Sequence, residues 1–370
     1  MSSQTVSRNA WPHVTDAQWN DWQWQQQQRI RTADQLAKII TLTPEEHEGI
    51  TQAGALFPMA ITPYYASLMH PTDPNCPIRR QAIPTKEELN IDPNEVEDPL
   101  AEEKYMPVPG LTHRYPDRVL LYTTHNCPVY CRHCNRKRKV GDPESAAPRA
   151  QLARAVQYIR DTPAIRDVLI SGGDPLTYAD NPLVEMITDI RSIPHVEIVR
   201  IHTRNPVTLP QRFTPELVER LKQFHPLYLN THFNHPAECT PEAAHALMLL
   251  ANAGFVLGNH MVLLKGINDD PEVVKTLNLW LLKQRVRPYY IFQCDSAQGI
   301  AHFRTPVQSG IDIIQSLRGF TSGLAVPHYV VDLTGGGGKV PLVPEYLVEH
   351  EGKKMTFKNY AGEHYVYHEG

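Results

Sequence analysis

The sequence predicts an α/β fold: a partial barrel of the (β/α)6 type with a helical N-terminal extension and a short C-terminal extension. From Arg118 onward, short apolar or β-branched runs alternate with longer amphipathic segments. Such alternation predicts strand–helix units, whose strands form a parallel sheet. Six or seven units without a glycine-rich dinucleotide fingerprint after the first strand favour a full or partial barrel over a doubly wound sheet.

The individual elements follow from run length and from the positions of proline. Predicted strands cover residues 119–123, 167–171, 196–202, 227–231, 256–262, 289–293 and 328–331. Predicted helices cover residues 147–160, 182–193, 215–224, 241–253, 271–285 and 306–320. Several of these helices begin with proline, which suits the first turn of a helix.

The chain divides into three predicted regions: a mostly helical region with an irregular linker (1–115), the barrel (116–332) and the C-terminal extension (333–370). Helical signals in the first region cover residues 15–30, 32–40 and 43–53, and the Pro-, Asp- and Glu-rich stretch 90–109 predicts an irregular crossing segment. Trp19 and Trp22 stand at helical spacing with Trp24 nearby, and we expect them to pack this region onto the barrel.

Composition excludes several classes of partner. The formal net charge is -4, so the chain has no basic excess and we expect no nucleic-acid partner. No window approaches eighteen apolar residues, and residues 1–11 lack the pattern of a signal peptide, so we expect no membrane partner. The sequence therefore predicts a cytoplasmic protein that acts on a small molecule.

Polar residues follow most of the predicted strands. In a barrel, such residues face one common mouth. In chain order they are Cys127, Cys131 and Cys134, residues 172–175, residues 204–206, residues 232–235, Asp295, and Asp332 with residues 335–339. The sequence therefore predicts one site at this mouth.

The cysteine motif is the most specific of these features. Cys127, Cys131 and Cys134 fall within eight residues, and such a cluster indicates a metal site more often than disulfides. Three thiolates on a [4Fe–4S] cube leave one iron free to bind a cofactor or substrate. The alternative is zinc with His133 or His125 as fourth ligand, although zinc sites usually pair two C-x2-C knuckles.

The C-x3-C-x2-C spacing after the first strand resembles the radical S-adenosylmethionine (SAM) superfamily. The resemblance implies that SAM binds the open iron and is cleaved to a 5′-deoxyadenosyl radical. It also implies that Gly172, Gly173 and Asp174 form the glycine-rich segment near the methionyl end of SAM, with His232 at the same cofactor.

Four glycines, Gly335 to Gly338, precede Lys339. They do not form a Walker A loop, because Leu333 stands where the first glycine is required and Val340 where Ser or Thr should follow the lysine. Glycines would leave Lys339 on an unobstructed segment, as suits an amine that forms and releases a Schiff base. A flexible surface loop with a solvated lysine is the alternative.

Residues 109–118, the cysteine motif and residues 329–339 together resemble the lysine 2,3-aminomutase family, and segments 19–22, 229–236 and 288–295 extend the resemblance. It implies that Lys339 carries pyridoxal phosphate (PLP), whose phosphate Arg114, Tyr115 and Arg118 would contact. Two arginines suit a doubly charged phosphate.

The resemblance also implies a substrate and a reaction. Asp295 and Asp332 would hold the distal ammonium of lysine, and Arg136 would hold its carboxylate. The implied enzyme is an isomerase that interconverts L-lysine and β-lysine by radical hydrogen abstraction and 1,2-amino migration. Alternatives are an arginine 2,3-aminomutase, an enzyme that supplies β-lysine for attachment to an elongation factor, and a structural iron–sulfur or zinc protein without catalysis.

Further implied partners are a low-potential electron donor, such as flavodoxin or ferredoxin, and further copies of the chain in a homo-oligomer. Longer family members end in a cysteine cluster that binds structural zinc. This sequence reaches Gly370 without such a cluster, and residues 268–271 contain no cysteine, so structural zinc is not expected.

Overall fold

A nine-stranded sheet forms the centre of the computed structural model, which describes residues 8–141 and 149–370. The strands follow one another in chain order across the sheet: β1 (Leu111–Tyr115), β2 (Arg118–Tyr122), β3 (Asp167–Ser171), β4 (Ile198–His202), β5 (Leu227–Thr231), β6 (Val256–Leu263), β7 (Arg287–Gln293), β8 (His328–Leu333) and β9 (Gly338–Leu342). Strands β2 to β8 are parallel, whereas β1 and β9 run antiparallel to their neighbours at the two ends. The predicted partial barrel is confirmed.

Helices fill the crossovers between the parallel strands. They are α7 (Arg149–Arg160), α8 (Asp180–Arg191), α9 (Asn205–Thr208), α10 (Pro215–Lys222), α11 (Pro241–Asn252), α12 (Pro271–Lys283) and α13 (Val307–Leu317), and they follow α1 (Asp16–Trp19), α2 (Trp22–Gln27), α3 (Ala33–Leu36), α4 (Pro44–Leu56), α5 (Pro63–Ala66) and α6 (Pro77–Ala82) of the N-terminal region. Proline at the first turn and a side-chain cap from Thr214, Thr240 or Asp270 start α10, α11 and α12.

The predicted barrel elements are present, with strand ends within two residues and helix ends within three residues of the prediction. Positions 147 and 148 of the first predicted helix lie outside the described residues. Alternate strand positions such as Val168, Ile170, Val199 and Ile201 are fully buried in the core that the helices cover. Burial alternates in β3 and β4, and most of the other predicted strands bury several apolar residues, which explains why these short apolar runs could be predicted from the sequence.

The N-terminal helices differ from the prediction. The single helix expected at 15–30 is broken into α1 and α2, because the Asp21 carboxylate accepts a hydrogen bond from the backbone N–H of Gln23 and starts a new helix. The segment 32–40 contains only the single turn α3, whereas α4 extends beyond the predicted end to Leu56.

The tryptophans pack as predicted. Trp19 is buried, and its ring lies 5.3 Å from that of Trp11 and 6.2 Å from that of Trp24. The guanidinium of Arg212, from the barrel, lies 4.3 Å from the ring centre of Trp22. The contact between Trp22 and Arg212 attaches the N-terminal region to the barrel, whereas the Trp19 ring contacts lie within that region.

Five strands were not predicted. β1 and β9 extend the sheet into the regions 1–115 and 333–370, and β10 (Leu347–Glu351), β11 (Lys354–Lys358) and β12 (His364–His368) form a separate antiparallel sheet. The division of the chain into three regions remains a prediction. Among the described residues, no helix is both long and apolar enough to cross a membrane.

Candidate active site

Lys339 lies in a β-hairpin. It is the second residue of strand β9, after Gly338, and stands directly opposite Asp332 of β8, so that its ammonium donates a 2.7 Å hydrogen bond to the Asp332 carboxylate. The connecting turn contains Gly335 and Gly336, both with positive φ, and a side chain at Gly336 would overlap the Tyr105 ring. The expectation of an unobstructed flexible segment is therefore wrong: the glycines build a tight turn that fixes Lys339.

Strand β1 approaches this hairpin across the open side of the barrel. The Tyr115 hydroxyl accepts a 3.2 Å hydrogen bond from the Lys339 backbone N–H, and Arg114 donates to Asp332 at 3.2 Å. The Arg118 guanidinium lies 4.0 Å from the centre of the Tyr115 ring. The structure thus brings Tyr115 to Lys339 and Arg114 to Asp332, whereas Arg118 lies against the Tyr115 ring; all three belong to the opposite end of the sheet.

Asp295 follows strand β7 and belongs to the same group. Its carboxylate accepts a 2.7 Å hydrogen bond from the Asn135 side chain. Burial, reinforced by the negative charge of Asp332, raises the pKa of Asp295 to about 6, whereas Lys339 and Arg136 act in the opposite direction. The two predicted ammonium ligands are therefore close enough to repel each other.

Arg136 is paired with Glu102, a residue that the sequence analysis missed. The guanidinium Nε donates to both Glu102 carboxylate oxygens at 3.0 Å, and Nη2 donates to one of them. Burial opposes both charges, but their mutual attraction prevails, so the pKa of Glu102 lies below and that of Arg136 above the ordinary value. Glu102 comes from the stretch predicted to be an irregular crossing segment.

The three cysteines lie in the loop after β2. Burial raises the pKa of Cys127 well above its ordinary value and that of Cys134 to about 11, and each thiol is further affected by Cys131. No three donor side chains in residues 8–141 and 149–370 converge on one point as a single metal ion would require. Buried thiols whose ionised forms would repel one another fit a cationic iron–sulfur cluster, which would be held by these three sulfurs and would stabilise them as thiolates.

A buried clamp holds this loop against the N-terminal region. Arg132 and Lys137 both pair with Glu88, at 2.8 Å for the Arg132 Nε and 2.7 Å for the Lys137 ammonium. Arg132 also donates to the backbone carbonyl groups of Phe57 and Pro58 at 3.0 Å. Because both cations flank Cys134 in sequence, the clamp fixes the conformation of the cysteine loop.

Gly172 and Gly173 pack against the same loop. A Cβ on Gly173 would lie 2.5 Å from the Asn126 carbonyl oxygen, and Gly172 has a φ of +124°. Asp174 is buried and uses its carboxylate inside the protein, accepting from the Thr203 hydroxyl and from the backbone N–H of Arg204, each at 2.8 Å. The observed contacts of these residues are thus with the cysteine loop and with the segment that follows β4, and their contact with SAM remains a prediction.

His232 follows β5 and lies near the cysteine loop. Its ring is 5.6 Å from that of His133, and burial keeps its pKa well below the ordinary value. Its buried Nε2 atom has no hydrogen-bond partner in the described part of the chain. An unpaired buried nitrogen is costly, so this atom fits a contact with a bound cofactor.

Comparison with known proteins identifies the family. Sequence models of the radical SAM superfamily and of lysine-2,3-aminomutase match residues 121–277 and 314–370, respectively. An L-lysine 2,3-aminomutase from Clostridium subterminale is 56% identical over 349 residues, which cover 94% of this chain and 84% of that protein. The chain belongs to the lysine 2,3-aminomutase family of radical SAM proteins.

Two further relatives show the breadth of the lysine 2,3-aminomutase family. An L-lysine 2,3-aminomutase from Fusobacterium nucleatum is 51% identical over 98% of this chain and 85% of that protein. A glutamate 2,3-aminomutase from Clostridioides difficile is 47% identical over 94% of this chain and 82% of that protein. Because family members with different substrates are this similar, the substrate has to be argued from the charges in the site.

Sequence reasoning missed several residues of this family member's site. Glu102 and Arg204 were visible only as charges in loops, and Arg204 had been placed at the barrel mouth without a role. His202 of β4 and His260 of β6 were also missed: their rings are 5.0 Å apart, and burial, followed by the charge of Lys339, lowers the pKa of His260 to about 3. The only available signal was their position at or near strand ends.

Proposed function

We propose that this protein is an isomerase that interconverts L-lysine and β-lysine, using a [4Fe–4S] cluster, SAM and PLP. The observation that carries the proposal is the pair of carboxylates, Asp295 and Asp332: Asp332 binds the Lys339 ammonium, and both charges are close enough to Asp295 to influence its pKa. Two acids at one end of a site favour a substrate with a distal cation, because an unpaired buried carboxylate is costly with a neutral or acidic side chain.

Membership of the radical SAM superfamily implies a [4Fe–4S] cluster and SAM. We propose Cys127, Cys131 and Cys134 as the cluster ligands and His232 as a contact of SAM, together with Gly172, Gly173 and Asp174. When bound, the cluster and SAM would supply the organic radical that abstracts hydrogen, and PLP would carry the migrating amino group.

The PLP site is proposed on the residues that meet at the hairpin. Lys339 provides the amine for covalent attachment, and Arg114, Tyr115 and Arg118 provide cations and a hydroxyl for the phosphate. In this structure Arg114 forms an ion pair with Asp332, and Arg118 forms one with the exposed Asp117 at 2.8 Å. A phosphate carries two charges and offers several oxygen atoms to a guanidinium, so both arginines are suited to exchange a carboxylate partner for the phosphate.

The same residues orient the substrate. The Lys339 ammonium already occupies one oxygen of Asp332, which shows that this carboxylate binds an amine at hydrogen-bond distance. We infer that the distal ammonium of lysine binds between Asp295 and Asp332 once Lys339 is covalently engaged. Glu102 takes Nε and Nη2 of Arg136, which leaves Nη1 to donate to the substrate carboxylate.

An anaerobic assay with a panel of amino acids tests the proposal. The reconstituted enzyme should convert lysine to β-lysine with SAM regenerated, and it should convert arginine and glutamate far more slowly. Turnover of arginine above that of lysine would instead identify an arginine 2,3-aminomutase. Deoxyadenosine that accumulates in proportion to product would contradict the regeneration of SAM.

Two variants separate substrate binding from cofactor assembly. Asp295→Asn and Asp332→Asn should each lower lysine turnover strongly while iron and sulfide content stays that of the wild type. Equal loss of cluster and turnover would show that the carboxylates are structural. A matched control is Asp312→Asn on helix α13, because this exposed carboxylate accepts a hydrogen bond from Gln308, a side chain of its own helix.

We also propose a cytoplasmic location, a low-potential electron donor such as flavodoxin or ferredoxin, and a homo-oligomer. The six cysteines are all unbridged, as in a reducing compartment. Large apolar side chains on β10 and β12 are about half exposed, as suits a subunit contact; they are Leu347, Val348, Tyr365, Val366 and Tyr367. Light scattering of the purified protein tests the oligomer, and the molar mass of a monomer would contradict it.

A further inference from the structure

A buried arginine reaches the sulfur of one proposed cluster ligand. Arg204 lies between β4 and α9, two residues after the strand ends, and its Nη1 atom donates to Cys131 Sγ at 2.7 Å. Only 8% of Arg204 is exposed, so water does not screen its charge from the sulfur. The backbone N–H of Arg204 is in turn held by Asp174, and its Nε donates to the His232 carbonyl oxygen at 3.2 Å.

The charge of Arg204 is balanced on the side away from the sulfur. Its Nη2 atom donates to Glu238 at 2.7 Å and to the Gln81 side-chain oxygen at 2.6 Å. Glu238 is fully buried and also accepts hydrogen bonds from the Tyr65 hydroxyl at 3.0 Å and from the backbone N–H of Asn234. This network fixes the guanidinium in one orientation, with one nitrogen directed at Cys131.

We propose that Arg204 is a positioning residue that raises the reduction potential of the cluster through Cys131, and that Glu238 limits this increase. The inference rests on the proposed function, because it requires Cys131 to be a cluster ligand. Reduction adds one electron, supplied by the low-potential donor, and the additional negative charge spreads over the cluster and its sulfurs. A fixed cation and hydrogen-bond donor at one sulfur stabilises the reduced state more than the oxidised one.

The sign of each effect follows from the charges. Loss of the Arg204 cation removes stabilisation of the reduced cluster and makes the potential more negative. Loss of the Glu238 anion removes an opposing charge and makes the potential more positive. If the network had only a structural role, loss of Arg204 and loss of Glu238 would loosen the same loop, and the two potentials would not shift in opposite directions.

The test is a redox titration of the reconstituted holoenzyme, followed by the electron paramagnetic resonance signal of the reduced cluster. At a fixed potential, Arg204→Gln should lower the ratio of reduced to oxidised cluster by about tenfold or more, which corresponds to a shift of about 59 mV for one electron. Glu238→Gln should shift the midpoint in the positive direction. Arg204→Lys keeps the charge and should remain near the wild type.

Tyr65→Phe is the matched control, because it removes a hydroxyl from the same network without changing any charge. Its midpoint should lie close to that of the wild type. Shifts of Arg204→Gln and Glu238→Gln in the same direction, or no larger than that of Tyr65→Phe, would overturn the inference. If Arg204→Gln fails to hold a cluster, the Glu238→Gln variant tests the inference alone: a positive shift of its midpoint potential supports the inference, and a negative shift contradicts it. A wild type without a cluster would instead refute the proposed function.

Discussion

Lys339 and Asp332 face each other across the β8–β9 hairpin, with 2.7 Å between the ammonium and the carboxylate. The pairing holds an amine opposite its counterion on two hydrogen-bonded strands, and the short glycine turn between the strands fixes their register. An ion pair with a partly buried carboxylate can be exchanged for another, and this makes the hairpin suited to bind first a protein amine and then a substrate amine.

The first prediction concerns the covalent role of Lys339. Lys339→Arg should retain the charge opposite Asp332 and the fold, but it should abolish covalent attachment of PLP, since a guanidinium does not form a stable Schiff base. Borohydride treatment followed by mass spectrometry measures the adduct. Lys353→Arg on the exposed turn before β11 serves as the control and should be trapped as the wild type is. A pyridoxyl adduct on any residue other than Lys339 would contradict the assignment.

The second prediction concerns the pH dependence of substrate binding. Because the pKa of Asp295 is raised to about 6, this carboxylate is charged above that pH and neutral below it. The KM for lysine should therefore rise as the pH falls through about 6, and the inflection should vanish in Asp295→Asn. Steady-state kinetics between pH 5.5 and 8 would contradict the prediction if both proteins showed the same profile.

The same raised pKa makes a third prediction, for stability. A carboxyl with a raised folded-state pKa favours folding below the unfolded-state value and loses that contribution as the pH rises through about 6. The apo form of Asp295→Asn should therefore be more stable than the wild type at pH 8, by up to about 3 kcal/mol, and should lose this advantage near pH 4. Urea unfolding at the two pH values measures the difference. An advantage that is independent of pH would contradict the electrostatic cause.

The fourth prediction concerns the buried pair of Glu102 and Arg136. Glu102→Gln leaves a buried guanidinium without its counterion, so unfolding at pH 7.5 should become easier by about 3 kcal/mol. The pKa of Glu102 is lowered, so this contribution is present above the ordinary glutamate value and is lost as the pH falls below it. The neighbouring Glu103→Gln is the control. Its side chain is 62% exposed, and its loss should cost less than about 1 kcal/mol. Equal costs for both variants would contradict the prediction.

The fifth prediction concerns the close approach of Gly173 to the cysteine loop. Gly173→Ala would place its Cβ 2.5 Å from a backbone oxygen, so the loop must shift and the cluster should assemble poorly in a folded protein. The measurement is iron and sulfide content together with circular dichroism. Gly54→Ala, in helix α4 with nothing within 4 Å of the added methyl group, should keep the full cluster and be slightly more stable. Full assembly in Gly173→Ala would show that the loop tolerates the shift.

Much of the fold could be predicted because it is encoded locally. Alternating burial in Val168 and Ile170 of β3, or proline at the start of α10 and α11, depends only on residues a few positions apart. β1 was not predicted, because its five residues show no regular burial alternation and it is stabilised by pairing with β2. β9 was not predicted for a similar reason: glycine and proline weaken its strand pattern, and it is stabilised by pairing with β8.

The candidate site shows the same division. The sequence by itself determined the cysteine spacing, the position of Asp295 and Asp332 at the ends of two strands, and the presence of a lysine after four glycines. Only the tertiary structure decided that Lys339 is registered with Asp332, that Glu102 holds Arg136, and that Arg204 reaches Cys131 from 73 positions away. The physical reason is that the partners of such a charge pair are brought together by the packing of elements that are distant in the chain. The residues of a motif are neighbours in the chain, so only the motif forms a recognisable pattern in the sequence.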